Sequence, residues 1–440
     1  MDAIRKKILE PFKHAEKNLN LIRLNGRVVK VIGLLIESLG PEASIGELCY
    51  IFPRGEKKAI KAEVIGFRDN VVLLMPFGEI GGISPGAHVI STGSSLKVPV
   101  SEKLIGRVLN GLGEPIDEKG PILNADYYSI YNSPPNPLKR KRIKESLCVG
   151  VRAIDGILTI GKGQRMGIFS GSGVGKSTLL GMIARNTSAD VSVVALIGER
   201  GKELRDFIER DLGEEGMKRS VIVVATSDEP ALVRLKAAFI ATSIAEYFRD
   251  QGKDVMLMMD SVTRFAMAQR EIGNSTGESP MTKAYPPSVF ALMPKLMERA
   301  GTSDKGSITA LYTVLVEGDD MDEPIADAAR GILDGHIVLS RKIAARNHYP
   351  SIDILESVSR VMIEIANKSH IDAANKLKQV VSDYNNAIDL INVGAYVNGS
   401  NPDIDFAISK IKMVNDFLCQ GIFEKSEYDD TLERLIKMFI

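Results

Sequence analysis

The chain has 440 residues and a formal net charge of zero, with 56 Lys and Arg against 56 Asp and Glu. That balance excludes a protein built chiefly to coat nucleic acid, which carries a basic surplus, though a local basic patch is still allowed. The cysteines Cys49, Cys148 and Cys419 are far apart and odd in number, which excludes a disulfide scaffold, leaves no metal-ligand spacing and fits a reducing compartment.

Residues 1–20 read as a short basic helix interrupted by Pro11, with Ile4, Ile8, Leu9 and Phe12 on one face. A frayed tail and a docking helix for a partner or lipid surface both fit that pattern, and docking is carried forward as the expectation. The basic start lacks the apolar core of a signal peptide. No apolar run approaches the roughly 18–20 residues needed to span a bilayer. From 21 to 93 the pattern changes to short strands at Arg27–Val31, Glu47–Phe52, Ala59–Phe67 and Val71–Met75, separated by turn formers. Such spacing predicts a small β-barrel, and nothing in it looks catalytic. Residues 94–150 are rich in turn formers, and their basic run Lys139–Arg142 is expected to be a solvated connector. Apolar strands then follow at Met166–Phe169, Val191–Ile197, Val221–Ala225, Val255–Met259 and Ile308–Val316, alternating with helical patterns such as Ala231–Asp250. Continuous apolar strands between helices predict a mainly parallel α/β sheet covered on both faces. After about His370 only helices are expected, at Ile371–Ile391, Asp403–Gln420 and Lys425–Ile440.

The run Ser170-Gly171-Ser172-Gly173-Val174-Gly175-Lys176-Ser177 lies between a strand and a helix expected over Thr178–Arg185. That context marks a phosphate-binding loop: glycines let backbone N–H groups turn inward, and the helix N-terminus adds its positive end. Lys176 is placed to reach β- and γ-phosphates, and the Ser177 hydroxyl to ligate Mg²⁺. One departure is Ser170, where such loops begin with Gly. The strand Val255–Met259 ends in Asp260, a position that suits a carboxylate of the Mg²⁺ shell; the alternative is a cap for a helix starting near Ser261. Glu199 follows the strand Val191–Ile197 and is the candidate for orienting or deprotonating an attacking water, with Glu203 in reserve. Arg200 has two readings, contact with the γ-phosphate or an ion pair with Glu203. Taken alone, Tyr349–Arg360 reads as a loop entering a helix.

Taken together, the phosphate loop, Gly198-Glu199-Arg200, the Asp260-ended strand, Pro350–Asp353 and Ser357–Arg360 resemble the rotary ATPase α/β family. The segment Ile105–Asp117 is similar to that family's lead-in to its nucleotide domain. Val151–Gly156, Lys283–Ser288, Val316–Pro324 and Ile332–Arg341 resemble the type III protein export ATPases, most closely their flagellum-specific branch. The resemblance covers about residues 21–370.

The resemblance implies an N-terminal β-barrel over 21–93, a RecA-like ATPase domain with its lead-in over 94–369 and a C-terminal α-helical domain over 370–440, assembled as a homohexameric ring. Gly171, Ser172, Gly173, Val174, Gly175, Lys176, Ser177 and Thr178 would hold the phosphates of ATP, and Ser177 and Asp260 the Mg²⁺. Glu199 matches the family's catalytic glutamate, Tyr349 the aromatic that stacks on adenine, and Arg360 the arginine finger that reaches a neighbouring subunit's γ-phosphate. His336 is assigned no chemistry. The implied activity is ATP hydrolysis energising flagellar protein export, in the cytoplasm and peripherally at the inner face of the membrane. The implied partners are a regulatory stator-like protein, a central stalk protein, export chaperones with their substrates, and the membrane export gate. A virulence-type export ATPase, a proton-translocating rotary ATPase subunit and a hexameric nucleic-acid motor are the competing readings. Zero net charge and a barrel region without an aromatic-rich surface weigh against the motor, so no specific nucleic acid is expected.

Overall fold

The computed structural model describes residues 25–55, 58–316, 318 and 320–439, so the expected docking helix over residues 1–20 lies outside the described residues. Contacts divide the chain into two compact units, one ending at Leu96 and one beginning at Lys97.

The first unit is a closed barrel of β1 (Gly26–Ile32), β2 (Leu35–Leu39), β3 (Glu47–Phe52), β4 (Ile60–Arg68), β5 (Val71–Pro76) and β6 (His88–Ser95), in the order β1-β2-β5-β4-β3-β6. Alternate residues of β3 point inward, as the period of a half-buried strand requires. Val28, Ile36, Cys49, Ile51, Val64, Leu74 and Val89 fill the interior. The sequence pattern missed β6, whose Ser- and Thr-rich run carries few of the apolar residues that mark a strand.

The second unit holds β7 (Lys97–Val100) paired with β9 (Asp126–Ser129), and a large sheet. Its strands are β8 (Val108–Asn110), β10 (Arg165–Ser170), β11 (Val191–Ile197), β12 (Ser220–Ala225), β13 (Asp254–Asp260), β14 (Gly301–Thr302), β15 (Ser307–Leu315), β16 (Gly335–Leu339) and β17 (Ile352–Ser359). The order is β17-β16-β10-β15-β13-β11-β12-β8, parallel except at β17, with β14 antiparallel on β15. Every residue of β11 and β12 is buried, which accounts for their unbroken apolar runs. The helices include α1 (Arg152–Ile157), α2 (Lys176–Asn186), α3 (Ala231–Asp250) and α4 (Val262–Thr276). Beyond the sheet come α5 (Lys368–Asn392), α6 (Pro402–Leu418) and α7 (Tyr428–Lys437), whose Leu377, Phe417 and Leu435 share one core with Ile154 and Ile157 of α1. The expected fold is therefore present: a barrel, a mainly parallel α/β sheet and a helical C-terminal region. No described helix is long and apolar enough to cross a membrane.

Two expectations need correction. Tyr349–Arg360 leads into an edge strand, β17, not a helix. Ile352 and Ile354 face the core at strand period, and the Ser357 hydroxyl accepts from Val338 N at 2.9 Å across a register shift. The run Lys139–Arg142 is not uniformly solvated either. Arg140 is tucked in, its Nη1 donating to the Ala300 carbonyl at 2.9 Å.

Candidate functional site

The C-terminal ends of β10, β11, β13 and β15 open onto one cleft, because parallel strands deliver their following loops to the same edge. The phosphate loop leaves β10 and enters α2 at Lys176. Gly173 and Gly175 have φ of +77° and +88°, a backbone that residues with a Cβ rarely adopt and that lets the loop turn tightly between β10 and α2. Ser170, the departure from the usual loop, is the last residue of β10 and lies buried beneath the loop.

Lys176 emerges at the first helical position. Its Nζ donates to Asp260 and, at 3.4 Å, to Glu199 Oε1. Burial penalises the ammonium, but the two carboxylates outweigh it and hold the Lys176 pKa above the ordinary lysine value. Asp260 also accepts from the Thr313 hydroxyl of β15 at 2.7 Å. It is not the cap of the next helix: the Ser261 hydroxyl accepts from Arg264 N and does that work. Glu199 follows Gly198, whose own φ is +70°. Its pKa is raised to about 6, first by burial, against the opposing charge of Lys176, with further upward pushes from Asp260 and from a hydrogen bond to Glu203. A carboxyl titrating there stays ionised at neutral pH and can still take up a proton, as a general base requires.

The cleft encloses about 550 Å³ and is lined by Gly171, Ser172, Gly173, Gly175, Lys176, Ser177 and Thr178, with Glu199, Arg200 and Glu203 opposite. Val174, the remaining loop residue, is buried, and its carbonyl accepts from Ser351 Oγ at 2.7 Å. Of the two readings for Arg200, an ion pair with Glu203 is absent among the described residues, and its side chain lines the cleft. The sequence reading missed Arg264. It lies four residues past Asp260, packs over Gly198, lines the cleft and has a buried Nε with no hydrogen-bond partner among the described residues. A guanidinium there suits a phosphate.

Beyond the loop lies a second cavity of about 590 Å³, which shares Gly173, Gly175 and Thr178 with the first. Tyr349 forms one side, 41% exposed, and Cys419, Gln420, Gly421 and Ile422 form the other. The exposed ring and apolar surroundings fit a flat aromatic base.

Arg360 is not brought to this cleft. The β17 end at Ile352 pairs with Leu339 near the phosphate loop, whereas Ser359 pairs with Gly335 at the opposite end of the sheet. From Leu339 to Gly335 is four strand steps, which at about 3.3 Å per residue is roughly 13 Å, the extra residues of β17 being taken up by its register shift. Arg360 is exposed and makes no side-chain hydrogen bond or ion pair among the described residues. His336 is half-buried, its Nε2 3.0 Å from the Glu356 carbonyl, on a part of β16 away from the cleft.

Among the described residues no group of three or more His, Cys, Asp or Glu side chains is placed to hold a metal by itself. The oxygen donors at the cleft, Ser177 and Asp260, fit Mg²⁺, which takes few protein ligands and completes its shell with phosphates and water.

Residues 28–93 match the beta-barrel domain and residues 150–359 the nucleotide-binding domain of the ATP synthase alpha/beta family, and residues 366–437 match the T3SS EscN ATPase C-terminal domain. The chain is 57% identical over 414 residues to the flagellum-specific ATP synthase of Bacillus subtilis, covering 94% of each. It is 51% identical over 413 residues to the type 3 secretion system ATPase of Xanthomonas euvesicatoria, covering 94% of this chain and 93% of that one. The solved structure of the assembled ATPase EscN from enteropathogenic E. coli has a TM-score of 0.89 at 47% identity, covering 94% of this chain and 99% of that one. A second structure, of EscN in complex with its central stalk EscO, has a TM-score of 0.88 at 46% identity.

Proposed function

The chain belongs to the flagellar and type III secretion ATPases of the ATP synthase α/β family, and on that premise we infer that it drives type III protein export. It is an ATP hydrolase. The observation that carries the site assignment is the meeting of Lys176, Asp260 and Glu199, from three different strand ends, at the mouth of the phosphate loop.

Loop N–H groups and the α2 N-terminus bind the phosphates, and Lys176 leaves its carboxylate partners for the β- and γ-phosphates. Ser177 and Asp260 hold Mg²⁺, which when bound neutralises charge on the phosphate oxygens. Glu199 orients the attacking water and accepts its proton, a role worth roughly 10²–10⁴-fold in rate. Arg200 and Arg264 face the γ-phosphate from the opposite wall, and Tyr349 stacks on adenine. Arg360, at the far end of its own sheet, serves a neighbouring subunit's site. That division of labour supports a homohexameric ring, because a head-to-tail contact repeated by rotation closes.

The partners we assign are a central stalk protein, a regulatory stator-like protein, export chaperones with substrates, and the membrane export gate. The site of action is the cytoplasmic face of the membrane. Within the family we place the chain in flagellar export, on its likeness to flagellum-specific relatives. Removing the gene is expected to abolish flagellar assembly; intact flagella with loss of effector injection would transfer the chain to the virulence branch. ATP turnover by Lys176→Ala and Glu199→Gln tests the site: both bind or fold as proteins but neither turns over, and wild-type turnover in either refutes its role.

A further inference from the structure

The base-side cavity has one wall with no regular structure. Residues 419–422 follow α6 directly, and a small set of side chains from elsewhere holds them. Arg152, in the first turn of α1 and 3% exposed, donates from Nε to the Phe417 carbonyl at 2.8 Å, from Nη2 to the Cys419 carbonyl and from Nη1 to the Glu424 carboxylate. Those carbonyls are acceptors left over at the end of α6, where a cation also meets the negative end of the helix. The Arg152 backbone N–H donates to Gln420 Oε1 at 2.9 Å. Gln420 Nε2 donates to the carbonyls of Gly150 and Glu424, each at 2.8 Å, and its backbone N–H donates to the Tyr349 carbonyl at 2.9 Å. Gly421 N–H donates to Glu424 Oε2 at 3.0 Å. The wall and Tyr349 are thus tied to each other and to α1, while Arg152 and Gln420 stay out of the phosphate cleft.

We propose that Arg152 and Gln420 are positioning residues that fix the base-side wall, so that the C-terminal helices set affinity for the nucleobase separately from affinity for the phosphates. The proposal rests on the reading that the base lies against Tyr349. A displacement of α6 or α7 would pass through Arg152 and Gln420 directly into the wall, whereas the phosphate loop hangs from its own strand, β10, and meets the wall only through Arg185 of α2 and the Ser351–Val174 hydrogen bond.

The test uses the full chain with Gln420→Ala and Arg152→Lys, the second keeping the charge but losing the planar fork. Adenosine and pyrophosphate are each titrated as inhibitors of ATP hydrolysis, beside KM and kcat for ATP. The expected result is a roughly 10–100-fold weaker adenosine inhibition and a matching rise in KM for Arg152→Lys, which loses hydrogen bonds from a charged donor, and a roughly 2–10-fold change for Gln420→Ala, whose lost hydrogen bonds join neutral groups. Pyrophosphate inhibition stays at its wild-type value in both variants, and kcat does so in Arg152→Lys, whose side chain lines neither cavity. Glu424→Gln, near the surface at 44% side-chain exposure, carries the test if Arg152→Lys does not fold. Equal weakening of both probes would mean general structural damage and overturn the proposal. So would unchanged adenosine inhibition while Tyr349→Ala weakens it. If Tyr349→Ala also leaves adenosine inhibition unchanged, the placement of the base is what has failed, and the proposal falls with it.

Discussion

Replacing Glu203 with Gln is expected to move the acid limb of the ATPase pH profile. Glu199 titrates near 6 because burial disfavours its charge, because Asp260 stands beside it and because Glu203 hydrogen-bonds to its protonated form; the Lys176 charge opposes these. A base must be ionised to act, so activity is lost as pH falls through the raised pKa. With a pKa of about 6, about a tenth of the sites are ionised at pH 5; at the unperturbed value of about 4.5, about three quarters would be. A Gln at position 203 carries no charge and donates to the Glu199 carboxylate, so the limb moves toward the lower value. The quantity to measure is kcat/KM from pH 4.5 to 8, which reports the free enzyme, with circular dichroism confirming the fold at each pH. ATP titrates in the same range, but identically for both proteins, so the difference between their curves belongs to the enzyme. Wild type retaining three quarters of its plateau at pH 5, or coincident limbs for wild type and Glu203→Gln, would refute the argument.

Lys176→Ala is expected to lose ATP turnover, since no other cleft cation extends from the phosphate loop itself; phosphate release is the assay. Arg360→Ala is expected to bind nucleotide normally and turn over about 10³-fold slower or worse, with partial recovery when mixed with Lys176→Ala, because mixed interfaces pair an intact loop with an intact arginine. No recovery in confirmed mixed assemblies would count against action in trans. Stability is expected to depend on the buried pair Arg299–Glu246, whose side chains are 1% and 2% exposed. Arg299→Met strands the Glu246 carboxylate and is expected to cost about 3–5 kcal/mol in urea unfolding, with much of it regained in Arg299→Met/Glu246→Leu. Equal stability of the single and double variants would contradict this.

Some features of this protein were legible in the amino-acid sequence because their causes are local. The phosphate loop needs glycines and a lysine at fixed spacing between a strand and a helix, and the chain carries both within a few residues. The strands β10 to β13 read correctly because burial on both faces demands unbroken apolar runs. Glu199 and Asp260 were legible as candidates because each stands where an apolar strand ends. Other features had no local cause to read. The run Ile352–Ser359 took its strand form from pairing with β16, against a local pattern that reads as a helix start. Arg264 looks like an ordinary helix residue until Gly198, just past the end of β11, is seen beneath it. Arg152 and Gln420 are distant in sequence, and only the docking of α6 against α1 makes them one device. The position of Arg360 depends on the direction of β17: reversing that strand would carry it to the phosphate loop, and antiparallel pairing carries it away. Spacing along a chain specifies what a short segment can do, whereas the direction of a paired strand and the partner of a buried charge follow from contacts between distant residues, which form only when the whole sheet does.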